Sequence, residues 1–239
     1  MSDHFYLTLS SGVTKLPERM RLNGDYEVAI SDFAYPHKWF NVNNGDDRYW
    51  IGAYNFVTNQ FPFPKFFVKS GYYKDEETFV SSLTQQAAEA FANVSVKFTF
   101  VKHLHRIRMQ IRNAEDTTVL LSSDLLEFLG FRRKMMMKKD VDYLAPMEFD
   151  LNRGLRLMYV YCDVAADVAV RDAMAPLMRV SNVHGEPGRN VRVTYPRPHH
   201  VPVRRREFDT IGISINNELG KPMPFDFGRT VITLHFRRR

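Results

Sequence analysis

Cys162 is the only cysteine in the chain and so the only thiol nucleophile available. A cysteine hydrolase needs its thiolate within hydrogen-bond reach of a histidine. Cys162 closes the apolar run Met158-Tyr159-Val160-Tyr161-Cys162, and free cysteines in such runs behave as small buried hydrophobes. The expectation is a buried, inert thiol. His103 and His105 are one residue apart. On a strand they would share a face at a separation that suits one metal ion. Two imidazoles do not complete a metal site and no third ligand is evident; His199-His200 could supply one in space, with nothing in the sequence to bring them near. Solvent-facing or hydrogen-bonded histidines are the preferred reading. Carboxylates occur as neighbours, Asp46-Asp47 and Asp140 with Asp142. General acid–base chemistry requires two carboxyls held at a set distance across a cleft, whereas neighbours in a polar segment read as a solvated turn. The sequence has no P-loop, no Gly-rich dinucleotide fingerprint and no G-x-S-x-G elbow.

Three basic clusters remain. Arg132-Arg133-Lys134 runs through Met135-Met136-Met137 to Lys138-Lys139, Arg204-Arg205-Arg206 follows a Pro- and His-rich segment, and Arg237-Arg238-Arg239 ends the chain. Each can neutralise phosphates. None is interleaved with aromatics in the manner of a single-strand binder. Arg237, Arg238 and Arg239 are candidates for non-specific contact with nucleic acid; a solvated, flexible tail is the open alternative. The Met triplet reads either as a flexible loop or as a subunit contact, since methionine adapts to irregular surfaces. Lys and Arg number 33 against 27 Asp and Glu, a net +6. That excess permits an anionic partner without demonstrating one.

These residues must be carried by strands. Aromatics make up 13% of the 239 residues, with 19 Phe and 11 Tyr, and such side chains favour pleated, half-buried surfaces. Short runs or period-two alternation recur over 26–33, 48–57, 65–68, 94–100, 105–111, 155–163, 177–183, 191–195, 208–215 and 230–236. One segment breaks the pattern as a helix, Asp75 to Ala92. Asp75, Glu76 and Glu77 favour its positive N-terminal end, and Phe79, Leu83, Ala87 and Phe91 recur every four residues on one face. A short helical turn is expected over 123–129, capped by Ser123 or Asp124 and ended by Gly130. The loop over 183–190 reads as a surface turn, and no repeat or long linker divides the chain. The fold class predicted is all-β: a single jelly-roll β-sandwich of about eight to ten strands over residues 1–239, with one inserted α-helix near residues 75–92. A closed barrel is the structural alternative.

With one cysteine, neither a disulfide framework nor a cysteine-based zinc site can form within the chain. The start MSDHFYLTLSS lacks an apolar run behind basic residues, so no signal peptide is read there. No stretch approaches the ~20 apolar residues of a spanning helix. A soluble protein made in a reducing compartment is expected, with the sequon Asn93-Val94-Ser95 unused and no cofactor.

Several stretches together resemble a known family. They are Asn23-Gly24-Asp25-Tyr26-Glu27-Val28-Ala29, Tyr35-Pro36-His37-Lys38-Trp39-Phe40-Asn41-Val42, Gly71-Tyr72-Tyr73, Leu129-Gly130-Phe131, Tyr159-Val160-Tyr161-Cys162-Asp163 and Ala175-Pro176-Leu177-Met178-Arg179-Val180. The series ends with His199-His200-Val201-Pro202-Val203, then Phe208, Ile211, Ile213 and Ile215, then Gly220-Lys221-Pro222-Met223-Pro224-Phe225-Asp226-Phe227-Gly228 and Val231 to Phe236. In their order and spacing, over nearly the whole chain, they resemble the minor capsid (penton) proteins of Maverick/Polinton-type elements. Those are virus-like DNA transposons related to virophages and adintoviruses. The resemblance implies a non-enzymatic virion protein, a single jelly roll that forms homopentamers at the five-fold vertices of an icosahedral shell assembled inside the host cell. Its implied partner is the double jelly-roll major capsid protein, and it brings no catalytic residues.

A five-fold ring is a closing heterologous contact, so each subunit presents two different patches, and the centres of such patches are rich in Tyr, Phe, Met and Arg. Trp39, Phe40 and Trp50 beside a polar turn are interface candidates, with buried core as the other reading of each. The sequence shows no sign of a large inserted receptor-binding domain. The competing functions are a jelly-roll module that binds a ligand or cell surface, and a hydrolase built on Cys162.

Overall fold

The structure, a computed structural model, describes residues 4–42, 48–55, 57–60, 64–91, 94–112, 117–133, 135, 138, 140–225 and 228–239. In chain order come β1 (His4–Leu9), β2 (Gly12–Arg21), β3 (Tyr26–Pro36), β4 (Trp50–Asn55), β5 (Phe66–Phe67), α1 (Glu76–Ala90), β6 (Ser95–Val101), β7 (Arg106–Arg112), β8 (Thr117–Leu121), α2 (Ser123–Phe128) and β9 (Asp142–Leu144). Then follow β10 (Leu157–Cys162), β11 (Val168–Val170), β12 (Ala173–Ala175), β13 (Leu177–Asn182), β14 (Asn190–Thr194), β15 (Val201–Pro202), β16 (Glu207–Asn216) and β17 (Val231–Arg238). The fold is all-β, as its sequence predicts. The asparagine-rich turn with Asp46-Asp47, Asn93 of the sequon, and Lys134, Met136, Met137 and Lys139 of the first basic cluster lie outside the described residues.

Where the sequence marks no boundary, the chain divides into two compact units, Met1–Trp39 with Arg153–Arg239, and Phe40–Asn152. The first unit holds two antiparallel sheets. One runs β1-β17-β3-β14, with β15 also paired to β3, and the other runs β13-β10-β16-β2. In chain order the long strands alternate between the sheets except for β10 and β13, which are neighbours in one, and this is the order of an eight-stranded jelly roll. The short β11–β12 hairpin joins β10 to β13.

Side-chain alternation explains the two layers. Ile232, Leu234 and Phe236 of β17 point into the core, as do Met158, Val160 and Cys162 of β10 and Ile211, Ile213 and Ile215 of β16. Strand β3 breaks strict alternation: its large buried side chains are Val28 and Ile30, then Phe33 and Tyr35. The register against β17 shifts at this point, pairing Asp32 with Thr233 but Ile30 with Leu234. Ser31 is the extra residue of a β-bulge, which returns both apolar pairs to the core face. Its hydroxyl donates to the Thr233 carbonyl at 3.0 Å.

The second unit, in the chain between β3 and β10, has its own apolar core. The sequence reading anticipated no such insertion. The unit contains two three-stranded sheets, β5-β4-β8 and β6-β7-β9, and helix α1 packs on β6. The helix starts where its sequence directs. Asp75 is the N-cap and accepts from the Thr78 amide at 2.8 Å, satisfying one of the orphan first-turn donors. Phe79, Leu83 and Ala87 are fully buried on one face. The second helix is capped one residue earlier than expected, by Ser122, whose hydroxyl accepts from the Leu125 amide at 3.2 Å. Gly130 follows at φ +83°, and a Cβ there would lie 2.5 Å from the Met147 carbonyl oxygen. Only glycine fits both the left-handed turn and that backbone approach.

Candidate functional site

Cys162 is 1% exposed, in the core of the jelly-roll unit. Burial pushes its thiol up to about 11, so it stays protonated at neutral pH and is a poor nucleophile. His103 and His105 are not on a strand. His103 lies in a single 3-10 turn, Lys102–Leu104, and His105 ends that turn at φ +50°. They belong to one unit and His199-His200 to the other. Among the described residues, no group of three or more His, Cys, Asp or Glu side chains is arranged to hold a metal ion. Asp142 accepts from Gln110 and Arg112 at 2.7 Å each, an exposed polar cluster on β7 and β9.

Trp39 is 4% exposed and packs in the jelly-roll core, stacked on His37 at 4.4 Å and edge-on to Phe225 at 5.9 Å. Phe40 and Trp50 are half-buried in the other unit. The Lys65 ammonium sits 4.2 Å over the Trp50 ring, a cation–π contact. Of the Met triplet, Met135 is partly buried against the core of its unit. Nearby, Arg133 pairs with Glu127 at 2.6 Å.

The other two basic clusters, far apart in sequence, meet at one end of the jelly roll. The start of β3 brings them there. On one side β17 pairs with it, setting Arg237 opposite Glu27 and Arg238 opposite Tyr26. The Arg239 amide then donates to the Asp25 carbonyl at 2.9 Å. On the other side β15 pairs with β3, Val201 opposite Val28 and Pro202 opposite Glu27. The Val203 amide continues to the Tyr26 carbonyl at 2.8 Å. Arg204, Arg205 and Arg206 leave from there, and the Arg206 carbonyl accepts from the Leu22 amide at 2.8 Å. Between the two triplets lies a pocket of about 220 Å³, bordered by Gly24, Asp25, Tyr26, Arg205, Arg206 and Arg239.

Carboxylates in this region are shared. Glu27 holds Arg237 at 2.8 Å and Arg239 at 3.5 Å. Glu207 holds Arg19 at 3.1 Å and Arg21 at 3.6 Å. Asp25 takes Arg206 at 2.7 Å, and Arg204 reaches Asp167 at 3.5 Å. Arg205 lies 4.0 Å from Asp163. Two of these carboxylates therefore serve two guanidinium groups each, and among the described residues arginines outnumber carboxylates at this end.

Glu27 is held below the usual carboxylate range, first by its hydrogen bond from Arg237. Asp32 is lowered in the same way by Arg192, which grips it at 2.9 and 2.6 Å. A carboxyl depressed in the folded state adds stability above its unfolded pKa, about 4, and loses it as pH falls through the folded value. In urea unfolding, wild type is therefore expected to exceed Glu27→Gln in stability at pH 7. The gap is expected to close progressively below about pH 4, and a gap independent of pH would refute the ion-pair account.

The jelly roll also presents an apolar outer face. On β10, Tyr159 and Tyr161 alternate with the core residues and point the other way. Val180, paired with Tyr159, is 43% exposed, and Leu177 pairs with Tyr161. The Arg171 guanidinium lies 5.9 Å from the Tyr159 ring centre.

No protein-family model matches the sequence, and no curated protein aligns with it. Among solved structures the chain is similar to a crystal structure of the selenomethionine-labelled mavirus penton protein. The identity is 10% and the TM-score 0.47, over 98% of this chain and 99% of that one.

Proposed function

We propose that residues 1–239 form one subunit of a non-enzymatic capsid vertex protein. It assembles into homopentamers at the five-fold vertices of an icosahedral virus-like particle, beside a double jelly-roll major capsid protein. One observation carries the reading: the chain builds an eight-stranded jelly roll whose β13-β10-β16-β2 sheet turns Tyr159, Tyr161, Leu177 and Val180 outward. A sheet face of aromatic and aliphatic side chains outside the core is the composition of a subunit contact centre. Trp50 and Phe40, half-buried in the other unit, are proposed as further contacts. The sequence-wide resemblance to penton proteins of Maverick/Polinton-type elements supports the vertex assignment.

The test is the solution mass by light scattering followed by electron microscopy of the same sample. A mass five times the 28.0 kDa chain and five-fold rings are expected, either alone or after mixing with the double jelly-roll partner. A chain that remains a monomer in both conditions overturns the proposal.

A further inference from the structure

We propose that the arginine end of the jelly roll, where the β15–β16 segment and the last residues of β17 converge on the start of β3, is a binding site for the backbone phosphates of double-stranded nucleic acid, read without regard to base sequence. The site is argued from charge and geometry alone. Only the source of the duplex rests on the vertex reading, which would make it a packaged genome.

Two arginine triplets that share no sequence neighbourhood are fixed on one frame by backbone hydrogen bonds from both sides of β3. Guanidinium groups present paired donors that match phosphate oxygens. Glu27, which holds Arg237 and Arg239, is 14% accessible, but the pair that holds Arg206 is exposed, with the Arg206 and Asp25 side chains 71% and 74% accessible. Pairs of that kind contribute little to stability, so a phosphate can displace the carboxylate at small cost. Glu27 and Glu207 each serve two arginines, so among the described residues arginines outnumber carboxylates here. Gly24 adds a close approach: the Arg238 Nε would lie 3.2 Å from a Cβ built there, so this guanidinium lies directly over bare backbone.

The surroundings select among polyanions. Tyr26, the aromatic ring bordering the pocket, is buried and offers no platform for stacking an unpaired base. Among the described residues, no helix or two-stranded ribbon projects there to enter a major groove. Among the described residues bordering the pocket, none carries an exposed large apolar side chain that could enter a lipid surface. A rigid array of guanidinium groups fits the regular phosphates of a duplex best.

The experiment is fluorescence anisotropy of labelled duplex DNA of two unrelated sequences, titrated with the full chain over a series of salt concentrations. Both duplexes are expected to bind equally, with log K falling linearly against log salt by about 0.9 per phosphate engaged. Arg205→Gln/Arg206→Gln/Arg239→Gln is expected to weaken binding about tenfold or more at low salt and to flatten that slope. Arg237 is left in place so that Glu27 keeps a partner. Lys74→Gln/Lys97→Gln/Arg108→Gln, which removes equal charge from exposed positions of the other unit, is expected to bind as wild type. Circular dichroism confirms that each variant is folded; if the first triple variant is not, Arg205→Gln/Arg206→Gln takes its place. Binding unchanged in the arginine variants, or lost equally in the control, overturns the site. So does tighter, Arg205/Arg206-dependent binding to phosphatidylserine-containing vesicles than to duplex DNA, which would make it a membrane contact. Light scattering, on these samples and after mixing with the double jelly-roll partner, keeps the two proposals apart: duplex binding by a chain that stays a monomer in both conditions overturns the vertex reading and leaves this site standing.

Discussion

Phe79→Ala is expected to destabilise the unit formed by Phe40–Asn152 by about 3–5 kcal/mol. Phe79 is fully buried on the inner face of α1. Its ring meets Tyr73 edge-on at 5.1 Å and Phe128 edge-on at 5.7 Å, and stacks on Phe149 at 5.7 Å. Truncation therefore removes the apolar burial of the ring, three aromatic contacts and the packing around the void left behind. The neighbours are themselves rings, which cannot collapse into the space as flexible side chains would, so the upper part of the range is expected. The chain's two tryptophans divide between the units, Trp39 in one and Trp50 in the other. Urea unfolding of Phe79→Ala in a Trp39→Phe background, followed by Trp50 fluorescence, reads the affected unit directly. Phe79→Leu keeps more of the volume and is expected to lose less. A loss below about 1 kcal/mol for alanine would show that Phe79 is not the centre of this core.

Legibility of the fold in the sequence tracked the range of the interaction involved. Local signals carried well. Asp75, Glu76 and Glu77 followed by Phe79, Leu83 and Ala87 fix a helix with no help from the rest of the chain, and the helix begins at Glu76. Ile232, Leu234 and Phe236 alternate cleanly, and β17 is where they stand. Period two failed where the backbone departs from the pleat. Val28 and Ile30 against Phe33 and Tyr35 needed a bulge at Ser31, which no alternation rule supplies. His103 and His105 satisfy the spacing of a strand face but occupy a turn and a left-handed residue. Strands of two or three residues, such as β5, β9 and β15, are too short to show a period at all.

The second unit escaped notice for a different reason. Its ends, Trp39-Phe40 and Asn152-Arg153, fall in sequence with no run of Gly, Pro or Ser to announce a crossing. The candidate site was half legible. Each arginine triplet is plain in the sequence, but their meeting depends on the pairing of β15 and β17 with the same end of β3. Arg237 and Glu27 are 210 residues apart, and only the jelly-roll order of the strands brings them into contact. The apolar outer face was hidden inside the run Met158 to Cys162, which reads as uniformly buried until the pleat separates Tyr159 and Tyr161 from Met158 and Val160.

Phe236→Ala is expected to cost the jelly-roll unit about 3–5 kcal/mol and to weaken the arginine end with it. Phe236 is fully buried on β17, opposite Phe5 of β1 and Val28 of β3. Its ring stacks on Phe5 at 4.8 Å, nearly parallel, and lies 6.2 Å from Phe208 of the facing sheet. It thus ties both neighbouring strands of its own sheet to the second layer, and alanine leaves a void that neither remaining ring can fill. Arg237, Arg238 and Arg239 follow directly, and their positions depend on β17 staying paired to β3 through Glu27 and Tyr26. Trp39 fluorescence in a Trp50→Phe background reads the stability, and duplex anisotropy reads the site. Arg239→Gln makes the opposite separation: an exposed guanidinium is lost, the core is untouched, and stability is expected to stay within about 0.5 kcal/mol of wild type while duplex affinity falls. If Phe236→Ala were to lose stability yet bind duplex with undiminished affinity, the arginines would not need the β3 frame to act, and the site would have to be redrawn as a flexible tail.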